Sequence, residues 1–170
     1  MVQGFDLFVA IAEIAGVFVG FGALIGVTRG TEIEMSQLGR IRAVVTIGLT
    51  VVVAALVPVV LGGYGIAGHG LWFASSLIFL VLNGAVIVLS LRRPENRTLM
   101  AGQARANPAT AAFFWLLLEI PVQAPLVLVL TGLWPNLEPA FYTTSLVFSL
   151  FEAAYVLAQL VYAEISPPSA

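Results

Sequence analysis

The chain has 170 residues, 60% apolar and 9% charged, with seven basic and nine acidic side chains for a formal net charge of −2. A soluble domain carries about 25% charged residues, so this composition excludes a water-soluble enzyme, a secreted module and a disordered chain, and it specifies a membrane protein. With no cysteine, disulfides, thiolate nucleophiles, zinc–thiolate sites and iron–sulfur clusters are excluded too.

Five apolar segments reach the roughly 20 helical residues that cross about 30 Å of hydrocarbon. They predict an all-α, polytopic bundle with short loops, read as one transmembrane domain over residues 1–170. The first span, Phe5 to Thr28, holds thirteen large apolar residues and Glu13. At roughly −0.3 to −0.6 kcal/mol each, those residues outweigh one acid at roughly +3 kcal/mol. Gly16 and Gly20 share a face with Glu13, while Ala15, Gly22 and Gly26 lie nearly opposite. Both faces have small-xxx-small spacing, so two helix neighbours are expected, within one bundle or across a homo-oligomer contact. The start Met-Val-Gln-Gly-Phe-Asp lacks the positive region and cleavage site of a secretory signal, so this span is expected to stay in the mature protein. Neither end carries a lipidation motif.

The connection from Arg29 to Arg42 holds three arginines, and Thr31-x-x-Glu34 within it fits a capping box, with Gly30 ending the first helix. The second span, Ile41 to Tyr64, carries Thr46, Thr50 and Pro58. Proline removes a backbone bond and frees the carbonyl four residues earlier, here Ala54. The outer loop Gly65 to Gly70 contains His69, the one histidine, expected to face solvent with no metal partners. In the third span, Leu71 to Leu91, the residues Ser76, Asn83 and Ser90 recur every seven. The next connection supplies Arg92, Arg93, Arg97 and Arg105, and Asn107-Pro108 opens the following helix.

The fourth span, Ala109 to Leu133, has Glu119 and Gln123 one turn apart on one face, flanked by Ala112 and Trp115. Pro121 and Pro125 free the carbonyls of Leu117 and Pro121, the composition of an interrupted helix at a transport site. The fifth, Ala140 to Ala163, opens after Glu138-Pro139 and carries Ser145, Ser149, Glu152, Tyr155 and Gln159 at spacings of three, four and seven. At about 100° per residue this is one stripe roughly 21 Å long.

All seven arginines fall in two loops and none on the other side, so the positive-inside rule predicts N-out, C-in and a single orientation. Tyr64, Trp72, Trp134 and Tyr142 mark the outer ends as an aromatic belt, and Tyr162 the inner one. The expected location is multi-pass in a cell membrane of the bacterial inner-membrane type. Partners are the bilayer itself, anionic headgroups at Arg92, Arg93, Arg97 and Arg105, and a second copy of the chain. Nucleic acid is not expected, because the arginines are juxtamembrane and not interleaved with aromatics. No internal repeat is evident.

Intramembrane ionisable residues usually face the bundle interior or a water-filled cavity. Asn83, Glu119 and Glu152 share a depth near the midplane, Glu13 and Gln123 lie in the outer half, and Gln159 lies toward the arginine loops. None of the three acids has a cationic partner within the hydrocarbon, so they are expected to turn inward and meet. There Glu119 and Glu152 are expected to be wholly or partly protonated at neutral pH, unless a cation binds between them. The expected work is that of a small permease or channel for protons or cations. The site would be Glu119, Glu152, Asn83, Gln123, Tyr155, Gln159 and Glu13, with no cofactor or resident metal. Interhelical hydrogen bonding alone would give the same pattern. The alternative is a non-catalytic scaffold or accessory subunit using the glycine faces and arginine loops. An enzyme is not expected: nucleophile–base pair, phosphate loop and metal-ligand cluster are all missing from the sequence, and Asp6 is the sole aspartate.

Overall fold

The computed structural model describes residues 5–29, 35–92 and 118–165, and every regular element in them is helical. Helix α1 runs Phe5–Arg29, α2 Met35–Gly63, α3 His69–Arg92, α4 Ile120–Thr131 and α5 Glu138–Ile165, with a single 3-10 turn at Pro135–Leu137 before α5. This is an all-α bundle. Four helices are long and apolar enough to cross a membrane, at Phe5–Thr28, Gln37–Gly63, His69–Arg92 and Pro135–Tyr162. The fourth predicted span is described over Ile120–Thr131, preceded by a wide turn at Leu118 and Glu119; its earlier part, with Ala112, Trp115, the Leu117 carbonyl and the Asn107-Pro108 cap, lies outside the described residues. So do Gly30, the Thr31–Glu34 box, Arg93, Arg97 and Arg105.

Close packing of α1 on α2 follows from the glycines. A Cβ at Gly62 would stand 2.6 Å from the Phe5 ring, one at Gly48 2.7 Å from Val19 Cγ2, one at Gly22 3.2 Å from Val44 and Val45, and one at Gly26 3.5 Å from Ile41. As numbers rise along one helix they fall along the other, so the pair is antiparallel. The open track of Gly16 and Gly20 contrasts with this: a Cβ at either would meet nothing within 4 Å. Helix α1 packs on α2 and also touches α5, but among the described residues no helix lies close against its Gly16–Gly20 face. Helix α1 seats on the bundle through Phe8, Ile11, Ala12, Ala15 and Gly22, all buried, and the Glu13 face, roughly 140–160° away by helical geometry, looks outward.

The other connections are tight. Tyr64 to Gly68 joins α2 to α3, with Gly65 and Gly68 in the left-handed region at φ 84° and 62°. Gly132 closes α4 with φ 65° and donates its N–H to the Val129 carbonyl at 3.1 Å, a C-cap glycine is best suited to. These hairpins bring the starts of α1, α3 and α5 and the ends of α2 and α4 to one end of the bundle, here the histidine end. Arg40 and Arg42 in the first turns of α2, and Arg92 at the last residue of α3, lie at the opposite, arginine end.

The core is aromatic at the histidine end. Phe8, Trp72, Phe79 and Tyr142 are all buried, with ring centroids 5.8–6.0 Å apart in tilted and edge-on pairs. Trp72 and Tyr142 thus depart from the predicted interfacial belt, whereas Tyr64 and Trp134 remain exposed. Tyr142 is drawn inward by a specific need: its hydroxyl donates to the Ala54 carbonyl at 2.6 Å. Pro58 has no N–H to give Ala54, so a side chain from α5 satisfies the group that the proline in α2 left free. Toward the outside the helices show Val17, Phe21, Leu24, Val53, Val60, Val81, Leu89 and Phe151. In water such a surface would aggregate; against acyl chains it is the expected face of a membrane-embedded bundle.

Candidate functional site

Helix α5 presents its polar stripe to the interior. Ser145 and Ser149 are buried, Glu152 and Tyr155 half-buried, and Gln159 exposed. The stripe therefore opens toward the arginine end. Gln159 Nε2 donates to the Tyr155 hydroxyl at 2.8 Å, one turn apart on the same face. Helix α4 packs beside α5 and brings Glu119, also half-buried. Gln123 Nε2 donates to Glu119 Oε2 at 3.5 Å, a long bond. The carboxyls of Glu119 and Glu152 lie near enough to act on each other electrostatically across the two helices.

Depth supports the grouping. Glu119 precedes Gly132 at the end of α4 by thirteen residues, and Glu152 follows Glu138 at the start of α5 by fourteen. At about 1.5 Å per residue both lie roughly 20 Å below the histidine end. Asn83, fourteen residues after His69, reaches the same level on α3 and is half-buried. Glu119 and Gln123 are thus joined on one face and Glu152 stands at the same level, with Asn83 at matching depth and Tyr155 and Gln159 one and two turns further along the stripe.

Glu13 is not part of this group. It is exposed on the outward face of α1, eight residues or about 12 Å from the start of that helix. Its placement inside the bundle is corrected: the buried positions of α1 include Ala15 and Gly22, and residue 13 cannot share their face. Of the glycines singled out, Gly22 and Gly26 pack on α2 while Gly16 and Gly20 do not.

Two residues that sequence reasoning placed in loops are brought together. His69 Nδ1 lies 2.6 Å from Glu138 Oε1, the histidine side chain 48% and the glutamate 2% exposed. His69 is exposed, as expected, but it has a buried partner that the sequence did not single out. Glu138 reads in the sequence as the residue before a helix-opening proline. The signal that could have found it is the spacing of seven, since Glu138 lies seven residues ahead of Ser145 on the stripe already recognised. Among the described residues no group of three or more histidine, cysteine, aspartate or glutamate side chains is placed to hold a metal ion.

A groove of about 360 Å³ between α2 and α3, lined by Val53, Leu56, Val57, Val60, Leu61 and Ile78, is wholly apolar. It suits an acyl chain and does not extend the carboxyl site. No protein-family model, curated protein or solved structure matches this chain.

Proposed function

We propose that this membrane protein moves protons or small cations as a compact permease or channel, with Glu119 and Glu152 as the groups that take up and release them. The observation that carries the reading is that two half-buried carboxyls on adjacent helices stand at one depth, within electrostatic reach of each other. The spans contain no lysine or arginine to neutralise them apart from Arg40, Arg42 and Arg92 at the arginine end. A charge held there is costly unless a proton or cation accompanies it, which is the property a relay uses. Gln123 holds Glu119 in place, Asn83 offers an amide at the same level, and Tyr155 with Gln159 continues the polar path toward the arginine end. The positive-inside rule sets that end in the cytoplasm and the histidine end outside. Arg92 there, with Arg93, Arg97 and Arg105, is positioned in sequence to meet anionic headgroups.

The test is flux through purified protein in liposomes, read with an internal pH dye and separately with a cation-sensitive dye. The expected result is a current that Glu119→Gln and Glu152→Gln each reduce by about 10²-fold or more, the scale of losing a positioned proton-transfer group. Full flux in both variants removes the function from these residues.

A second reading, an accessory subunit or scaffold, is favoured by one observation. The Glu13, Gly16 and Gly20 face of α1 is uncovered, and an acid on a lipid-facing surface is rare. Wild-type liposomes without flux, together with a stoichiometric partner crosslinked through α1, would select it.

A further inference from the structure

His69 and Glu138 each begin a helix, α3 and α5, at the same end of the bundle. The imidazole stands half-exposed while the carboxyl it touches is buried. The ring is also held from its other sides. A Cβ at Gly132 would stand 3.3 Å from it, and the Phe73 ring lies 5.7 Å away. The second carboxyl oxygen, Glu138 Oε2, is buried with no hydrogen-bond partner among the described residues, and so are the hydroxyls of Ser75 and Ser76. Buried polar groups left without partners are uncommon and call for an explanation.

The pair also heads two matching ladders. Counting in sevens gives His69, Ser76, Asn83 and Ser90 on α3, and Glu138, Ser145, Glu152 and Gln159 on α5. Both helices run from the same end, so equal steps reach equal depths, about 10.5 Å per step. Around the first rung Ser76-Leu77-Ile78-Phe79 recurs as Ser145-Leu146-Val147-Phe148, offset by the same 69 residues that separate His69 from Glu138. Each helix follows a short loop and a proline-bearing helix, with Pro58 in α2 and Pro125 in α4. The hairpins α2–α3 and α4–α5 thus share an element order, a direction and one four-residue match, and His69 and Glu138 hold matching first positions of α3 and α5 and touch each other.

Resting on the proton-handling reading above, we propose that His69 and Glu138 form the proton-exchange station through which the Glu119–Glu152 site communicates with the histidine end. The half-exposed imidazole takes a proton from water on Nε2 and gives the one on Nδ1 to Glu138 Oε1. The ring gains one and loses one, changes tautomer, and is reset by a second exchange with water. The neutral carboxyl turns about its Cγ–Cδ bond so that the oxygen carrying the new proton takes the inward position of Oε2, passes that proton to the interior and returns to carboxylate. Water bridging Oε2 and the Ser76 hydroxyl, the partnerless polar atoms such a molecule needs, carries it down the ladder to the carboxylate of Glu152. The other titratable groups at this end among the described residues are Asp6 on α1 and Tyr64 after α2, both exposed, and Tyr142 on α5, whose hydroxyl is engaged with Ala54. None of them bonds to the pair.

Two substitutions separate a relay from a structural tie. His69→Asn keeps an amide donor where Nδ1 stands but cannot take a proton at one nitrogen and release it at another. Glu138→Gln keeps the volume and removes the exchangeable carboxyl. In proteoliposomes that conduct protons and fall silent with Glu152→Gln, both variants are expected to lose flux at least about tenfold. Imidazole added on the histidine side restores flux to His69→Asn and not to Glu138→Gln or Glu152→Gln. Unfolding midpoints and gel-filtration profiles identify any variant that has failed to fold; for such a variant, His69→Gln replaces His69→Asn. Wild-type flux in folded His69→Asn, or a loss that imidazole does not relieve, overturns the station and leaves the carboxyl site standing. Conduction of sodium or potassium without protons also overturns the station while the cation form of the function survives. A protein carrying neither overturns both.

Discussion

Helix α1 bears the same spacing twice, Gly16 with Gly20 and Gly22 with Gly26, and the two pairs meet opposite fates. A Cβ on the second pair would meet the side chains of Ile41, Val44 and Val45 at 3.2–3.5 Å, while one on the first would meet nothing within 4 Å. Spacing alone does not choose between them. The choice is made by the rest of the face: Phe8, Ile11, Ala12 and Ala15 are buried together with Gly22, whereas Gly16 and Gly20 share their side with Glu13, which no described helix covers. A small-xxx-small track permits close approach, and large apolar neighbours on the same face supply the dispersion contacts that drive it.

The strongest way to break the packed side is at the partner helix. A Cβ at Gly48 of α2 would stand 2.7 Å from Val19 Cγ2 and 3.4 Å from the Ala15 carbonyl oxygen. A β-branched side chain is stiff and a backbone oxygen cannot move aside, so Gly48→Val must push the helices apart. The expected loss is about 3 kcal/mol, the upper range for overpacking, read as a lower unfolding midpoint in detergent titrated with SDS. An unchanged midpoint would mean that α1 does not sit on α2 as described. Next in size is Tyr142→Phe, which leaves the Ala54 carbonyl without its 2.6 Å donor and is expected to cost about 1–2 kcal/mol. Because Pro58 creates the vacancy, Pro58→Ala supplies a local N–H, and Tyr142→Phe in that background should cost measurably less. A double-mutant cycle with no coupling would disconnect the proline from the tyrosine.

The helical class, the positions of the four long apolar helices, and the shared depth of Asn83, Glu119 and Glu152 were legible because each depends on local quantities: apolar length, residue counts and a period of seven. The demand for a donor at Ala54 was legible too, since proline chemistry is local, but its supplier was not. Tyr142 read as an interfacial aromatic because amphipathic rings favour that depth, and only the neighbouring helix reveals a bond worth more. Glu13 was misplaced because one acid beside glycines carries no information about which side of its helix is covered. His69 and Glu138 escaped notice for a related reason. Each lies in a Gly- or Pro-marked turn, where polar residues are ordinary, and 69 residues of chain separate them. The period of seven that runs down α5 from Ser145 and down α3 from Ser76 reaches the pair one step upward on each helix.

The finest test of the two glycine pairs lies with alanine, which adds one methyl group and improves helix propensity slightly. At Gly22 the new carbon would meet Val44 Cγ1 and Val45 Cγ2, both at 3.2 Å, so the valines must give by a few tenths of an ångström. Gly22→Ala is expected to cost about 1 kcal/mol. At Gly16 and Gly20 the methyl enters open space, and both alanine variants should unfold within about 0.5 kcal/mol of the wild type. The measurement is best made over a range of protein-to-detergent ratios, because a covering helix from a second copy would leave at high dilution. If Gly16→Ala and Gly20→Ala lower the midpoint in concentrated samples and not in dilute ones, the outward face of α1 is an association surface, and Glu13 then lies at a protein contact. If they are silent at every ratio while Gly22→Ala is not, the contrast between the faces belongs to the single chain, and Glu13 faces lipid.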